Sequence, residues 1–272
     1  MRSSNPVFSR RGFSRGTGYA GFNAPPQAGG AANPYAGTNP YATQAPPQYD
    51  PQTRPMTMDD VVTRTGMTLG TVIAGATVGW IFLAGQLGFA VFAAVVAMGL
   101  GLAQGFMRRP VPALILAYAA FEGIFLGALS GAINDLPKFS GAPMQAVLGT
   151  MAVFVAMLVA YKTRLVRVTA RFTRFVIIAA LGFVLLSLVN MLFMVFGGGD
   201  GLGFRSGGLG ILFGVVGVVL GALFLALDFK QVEDGIAYGA PREESWLAAF
   251  GLTMTLVWIY LEMLRLIQIL RD

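Results

Sequence analysis

The 272-residue sequence has no cysteine and no histidine. Without cysteine there are no disulfides, thiolate metal sites or cysteine nucleophiles. Without histidine, serine–histidine catalysis, imidazole metal ligation and the usual near-neutral proton shuttle are excluded. No strand-like alternation appears, and no phosphate-binding loop follows a strand. Charge is also scarce: 12% of residues are charged, against roughly a quarter in a soluble domain.

What fills the chain instead is apolar side chain, at 55% of residues, together with 36 glycines. No soluble fold has enough interior for that much apolar surface, so lipid must take the remainder. Abundant glycine fits helices packed backbone to backbone in a membrane. The net charge of +6 is accounted for by basic residues in cytoplasmic loops, so nucleic acid is not an expected partner.

Residues 1–55 differ from the rest. They are rich in Gly, Pro, Ala, Gln, Asn and Tyr, and Asn33-Pro34-Tyr35-Ala36 recurs as Asn39-Pro40-Tyr41-Ala42. Such a segment cannot bury enough apolar surface to offset its ordering entropy, and a disordered cytoplasmic tail is expected. No apolar core follows Arg10, Arg11 and Arg15, so it does not read as a signal peptide. It serves as a solvated tether or as a docking segment for other membrane proteins.

Residues 56–272 read as an all-α membrane domain. Apolar stretches lie near 65–84, 87–107, 111–133, 143–161, 174–196, 209–229 and 246–269. Each approaches the ~20 residues that span the hydrocarbon. Only Gly85 and Gln86 separate the first two, and a single helix of that combined length would overshoot the bilayer, so a tight hairpin is predicted. With seven spans, one side collects Arg54, Arg64, Arg108, Arg109, Lys162, Arg164, Arg167, Arg171, Arg174, Lys230 and Arg242. The other collects Lys138, Arg205 and Arg271. The positive-inside rule then predicts a plasma-membrane protein with its N-terminus in the cytoplasm and its C-terminus outside.

Small-xxx-small pairs such as Gly75/Gly79, Gly123/Gly127 and Gly217/Gly221 permit close helix contact, within the chain or between copies. Charged groups inside the spans need a reason, because burying them in hydrocarbon costs several kcal/mol. Glu122, Asp228 and Glu262 qualify, and Asn190 lies deep in the fifth span. Arg265 shares the Glu262 helix face three residues on, so local pairing for packing is the alternative to a functional role for that acid. Two carboxylates brought together in low dielectric titrate as a unit and can attract a divalent cation such as calcium. Gly197-Gly198-Gly199-Asp200 spells the GxGD of presenilin-like proteases, but it falls in a loop rather than within a span. Lys138, Lys162 and Lys230 sit in or beside loops, which argues against a retinal Schiff base. With no nucleophile constellation, the chain does not read as an enzyme, and no cofactor is expected.

These residues carry a resemblance. Glu122-Gly123-Ile124-Phe125-Leu126-Gly127, Leu227-Asp228-Phe229-Lys230-Gln231-Val232 and Trp258-Ile259-Tyr260-Leu261-Glu262 with Leu264-Arg265 resemble the Bax inhibitor (transmembrane BAX inhibitor motif, YccA-like) family. So does the opening Met1-Arg2-Ser3-Ser4-Asn5-Pro6-Val7, which looks like the actinobacterial long-tailed form. The resemblance covers the first seven residues and roughly 56–272. It implies seven transmembrane helices with the last one central, wrapped by the other six. It also implies a pH-sensitive calcium leak gated by acids in the sixth and seventh helices. Those acids fall on Asp228 and Glu262, which would also meet calcium transiently. Their arginine partner falls on Arg108, and Glu122 and Asn190 are candidates for lining the path. The alternative is a non-transporting factor that binds or modulates other membrane proteins, such as a membrane protease.

Two features depart from the family pattern. Glutamate stands at 262 where aspartate is usual. The interval from Asp228 to Glu262 is also long, which offsets the acids by on the order of 10 Å at 1.5 Å per residue if the turn lies at Gly239 to Arg242. An extended, tilted sixth helix or a displaced turn would reconcile them.

Overall fold

Thr57 begins the first helix with a capping box. Its hydroxyl accepts the Asp60 N–H at 3.3 Å, and the Asp60 carboxylate accepts the Thr57 N–H at 3.2 Å. This satisfies two amides that the helix itself cannot bond. From there the computed structural model describes residues 54–197 and 207–272. The disordered segment expected over 1–55 lies outside the described residues except for Arg54 and Pro55. Gly198 to Asp200 of the GxGD motif, Arg205 and the start of the chain also lie outside them.

Seven long helices are present among the described residues: α1 (Met58–Leu83), α2 (Leu87–Phe106), α3 (Pro112–Asn134), α4 (Ala142–Lys162), α5 (Ala170–Gly197), α6 (Gly207–Ala237) and α7 (Glu244–Arg271). All are long and apolar enough to cross a membrane. The hairpin between α1 and α2 is as tight as the sequence predicts. Gly85 takes φ +77° and the Gln86 N–H bonds back to the Leu83 carbonyl at 3.0 Å. α3 opens on Pro112, whose missing N–H costs nothing in a first turn.

Three boundaries differ from the apolar stretches. α1 and α5 begin earlier and α6 runs eight residues past 229 to Ala237. Hydropathy reads the charged turns at these ends as loop. A helix continues through charge when its end reaches the aqueous interface, and Lys230 pairs with Asp234 one turn on. Lys230 is therefore inside a helix, about two turns from its end, rather than in or beside a loop.

α7 is the central helix. It packs directly on α1, α3, α4 and α6. α2 and α5 reach it through side chains: Ala97 joins the cluster around Phe250, and the Phe183 ring lies 5.7 Å from that of Trp258. Two neighbours, α1 and α3, also supply polar contacts at different levels of α7. Thr68 of α1 meets Thr253 at 2.8 Å, and Ser130 of α3 meets Tyr260 at 2.6 Å. In an apolar bundle such bonds specify which faces meet.

α1 and α3 run parallel and touch backbone to backbone. A Cβ on Gly75 would lie 2.5 Å from the Ala120 carbonyl oxygen, and one on Gly79 would lie 2.9 Å from the Ala128 nitrogen. A Cβ on Gly123 would meet the Ala76 nitrogen at 3.0 Å, and one on Gly127 would meet the Ala76 Cα at 2.7 Å. These two small-xxx-small pairs therefore serve packing within the chain. Gly66 and Gly70, by contrast, face open space.

The two ends of the described chain are tied down at opposite ends of the bundle. Pro55 forms an antiparallel bridge with Pro241 in the α6–α7 turn, with Met56 N–H to Ala240 O at 2.8 Å. At the far end Lys138 pairs with Asp272 at 2.6 Å, and Arg271 donates to Ser140 O at 2.8 Å.

Candidate functional site

α6 and α7 are antiparallel neighbours joined by a short turn, and this seam holds two of the three acids singled out in the sequence, Asp228 and Glu262. The register is defined by close contacts. A Cβ on Gly221 would sit 2.5 Å from Ile259 Cγ1, and the Trp258 indole N–H donates to Gly217 O at 3.2 Å. Small residues on α6 thus receive the large ones of α7.

Asp228 is half-buried on this seam. Its Oδ2 accepts a hydrogen bond from Thr255 Oγ1 at 2.6 Å, and its Oδ1 lies 3.5 Å from where a Cβ on Gly251 would stand. Glu262 is buried, at 9% exposure, and points at Gly217, where a Cβ would be 2.8 Å from Oε2. Gly217 precedes Asp228 by eleven positions on α6, and Gly251 precedes Glu262 by eleven on α7. Eleven residues correspond to about 16 Å of helix, and to three turns that return to nearly the same face. The two carboxylates therefore occupy one stripe at two depths.

The proton-sharing pair implied by the family pattern does not form in this arrangement. The extension of α6 does not bring the acids level, because the turn stays at Tyr238 to Glu243 and α7 has to run eighteen residues from Glu244 to Glu262. Arg108 does not join them. It is exposed in the α2–α3 turn, where Gln104, buried at 1%, accepts the Val111 N–H at 3.0 Å and donates to Arg109 O at 3.2 Å. Nor do Asp228 and Glu262 converge on one cation position, and among the described residues no three Asp, Glu, His or Cys gather as a metal site.

Glu122, on α3, borders a different face of α7 from Asp228. It lines a cavity of about 630 Å³ with Tyr118, Phe250 and Met254. Phe250 and Met254 each precede by one position the Gly251 and Thr255 that face Asp228, so the two acids flank α7 at a similar depth. Asn190 is 3% exposed on α5, the helix that also brings Phe183 against the Gly217 position beside Glu262.

One multiply bonded acid is one that sequence reasoning missed. Asp60, 6% exposed, accepts Arg54 Nη2 at 2.7 Å and Arg242 Nε at 2.9 Å, besides the Thr57 hydroxyl at 2.8 Å. Arg64, one turn on, donates to Arg242 O and Ser245 Oγ and lies 5.3 Å from the Trp246 ring centroid. Together these residues clasp the start of α1 to the α6–α7 turn. The signal available in sequence was the Thr57-x-x-Asp60 capping pattern, which says nothing of a partner 182 residues away.

Comparison with the curated proteins returns no match. The family model described as Bax inhibitor 1 like matches residues 5–272. With nearly the whole chain matched, this membrane protein of seven apolar helices belongs to the Bax inhibitor 1 like family.

Proposed function

We propose that the protein is a pH-sensitive cation leak of the plasma membrane, with calcium as the permeant ion, and that its two acids act as separate stations. The reading rests on family membership together with one observation. Asp228 and Glu262 stand on the same stripe of the α6–α7 seam, about three turns apart. Carboxylate oxygens are the hard ligands that calcium prefers. Two of them at successive depths would let an ion be handed on rather than trapped, which conduction requires.

Loss of a proton at each station opens its level of the path. At Asp228 the Thr255 hydroxyl holds the carboxylate against α7. Opening there requires the hydroxyl to give way or to turn with the acid. The N-terminus lies in the cytoplasm in this reading, so the Asp228 level is nearer the cytoplasm and the Glu262 level nearer the outside.

Calcium flux into proteoliposomes across a pH series tests the proposal. Flux should rise with pH, and D228N and E262Q should each flatten part of the profile. For separate stations the effects of D228N and E262Q add on a logarithmic scale, as expected for sites farther apart than ~7–10 Å. A shared-proton gate would instead make the double variant no worse than either single one. Absent flux at every pH would sink the transport reading.

A further inference from the structure

A cavity of about 890 Å³ opens between α1, α4 and α6 at the end of the bundle where the α4–α5 turn lies. It is separate from the seam that holds Asp228 and Glu262. Its floor is apolar, with Val61, Leu69, Phe154, Leu158, Phe229 and Leu252. Its mouth is basic, with Lys162, Arg164, Arg167 and Lys230. The one acid on the rim, Glu233, already accepts the Tyr161 hydroxyl, and Lys230 is engaged by Asp234. Among the described residues Lys162, Arg164 and Arg167 have no ion-pair partner.

Arg164 has a second peculiarity. α4 ends in a Schellman turn: Leu165 N–H bonds to Ala160 O at 2.9 Å and Arg164 N–H to Tyr161 O at 3.0 Å. The residue at the left-handed position of that turn is ordinarily glycine, because a Cβ is strained there. Here it is Arg164, at φ 58°, the one non-glycine residue with positive φ among those described. In a chain with 36 glycines, an arginine at this position keeps a guanidinium at the cavity mouth at the expense of backbone comfort.

We propose that this cavity binds an anionic phospholipid, its phosphate held by Arg164, Arg167 and Lys162 and one acyl chain laid along the apolar floor. The volume falls within the ~300–1,000 Å³ of small-ligand sites. The cations sit at helix ends, the level at which headgroups meet a membrane protein, and basic pockets between membrane helices suit acidic headgroups. A zwitterionic lipid would bring its own cation to a basic rim. The segment 1–53 carries four arginines and a single aspartate, so its charge opposes the same mouth, and a second copy would present like charge to like.

The test uses the full-length protein in a non-ionic detergent, with thermal unfolding followed as lipid is titrated in. Phosphatidylglycerol should raise the midpoint by several degrees, while phosphatidylcholine and inorganic phosphate should leave it in place. R164Q/R167Q should lose the response and R164K/R167K should keep it. An equal rise with phosphatidylcholine would show an apolar slot without charge selection, and an equal rise with inorganic phosphate would show a free-anion site. Either result overturns the proposal, as does an undiminished response in R164Q/R167Q. If that variant does not fold, a photoreactive benzoylphenylalanine at Leu158 decides. An adduct of phosphatidylglycerol mass supports the proposal, and one joined to residues 1–53 or to a second copy rejects it.

Discussion

Thr255 Oγ1 stands 2.6 Å from Asp228 Oδ2 and is the group that α7 presents to the acid of α6. Glu262, the expected partner, is eleven positions beyond Gly251, the other residue facing Asp228. A hydroxyl can stay bonded to either protonation state of a carboxyl group, since it both donates and accepts. The contact therefore anchors Asp228 without deciding its charge.

Removing that anchor should cost stability in a way that can be read. T255V leaves the shape and deletes the donor, and a polar group buried without its partner costs about 1–3 kcal/mol. The unfolding midpoint in detergent should fall for T255V and stay near wild type for T255S. In a D228L background T255V should cost less, because no carboxylate then loses its bond. Equal costs in both backgrounds would show that the hydrogen bond contributes nothing.

The α1–α3 contact predicts unequal glycines. G127A places a methyl against the Ala76 backbone and G75A places one against the Ala120 carbonyl. Backbone cannot rotate aside, so each should destabilise by about 1–3 kcal/mol. G70A meets nothing within 4 Å, and alanine is the better helix former by ~1 kcal/mol, so it should be neutral or stabilising. Thermal unfolding of the three single variants checks the order.

At Gly217 the obstacle is of a different kind. A Cβ there meets the tips of Glu262 and Phe183, at 2.8 and 2.9 Å, rather than backbone. G217A should therefore be milder than G127A. Shortening the acid should relieve it: E262D in the G217A background should recover stability that E262D alone does not provide. A double variant that is simply the sum of the two singles would show that the carboxylate does not press on this position.

The clasp at Asp60 predicts local loosening. D60N removes the charge facing Arg54 and Arg242, whose side chains are 45% and 38% exposed, so solvent softens the loss to about 1–3 kcal/mol rather than the 3–5 of a fully buried pair. Hydrogen exchange should accelerate at Met56 and at the α6–α7 turn, while α3 keeps its protection. Uniform acceleration throughout the bundle would mean that the clasp is part of the global core instead.

Much of this protein could be read from its sequence for one physical reason. Hydrocarbon demands long uninterrupted apolar helices, so spans such as 87–107 and 111–133 match α2 and α3 almost residue for residue. The errors fall where that demand lapses. The charged turns of α1, α5 and α6 project toward the interface, and hydropathy cannot tell an interfacial helix end from a loop. The acids were legible as anomalies, because a carboxylate in a span stands out. Their partners were not, since Thr255 and Gly217 look like ordinary span residues.

By itself, then, the sequence determined the class of protein, the number of crossings and the unusual residues, because the bilayer judges each segment separately by its own composition. The tertiary structure alone decided which acid faces which neighbour. The register of two antiparallel helices depends on where the turn between them falls and on which small residues admit large ones, and neither is a property of one segment. It decided equally that Asp60, an unremarkable first-turn acid, holds Arg54 and Arg242 together, since that contact exists only once the first helix and the last turn are brought to the same end of the bundle.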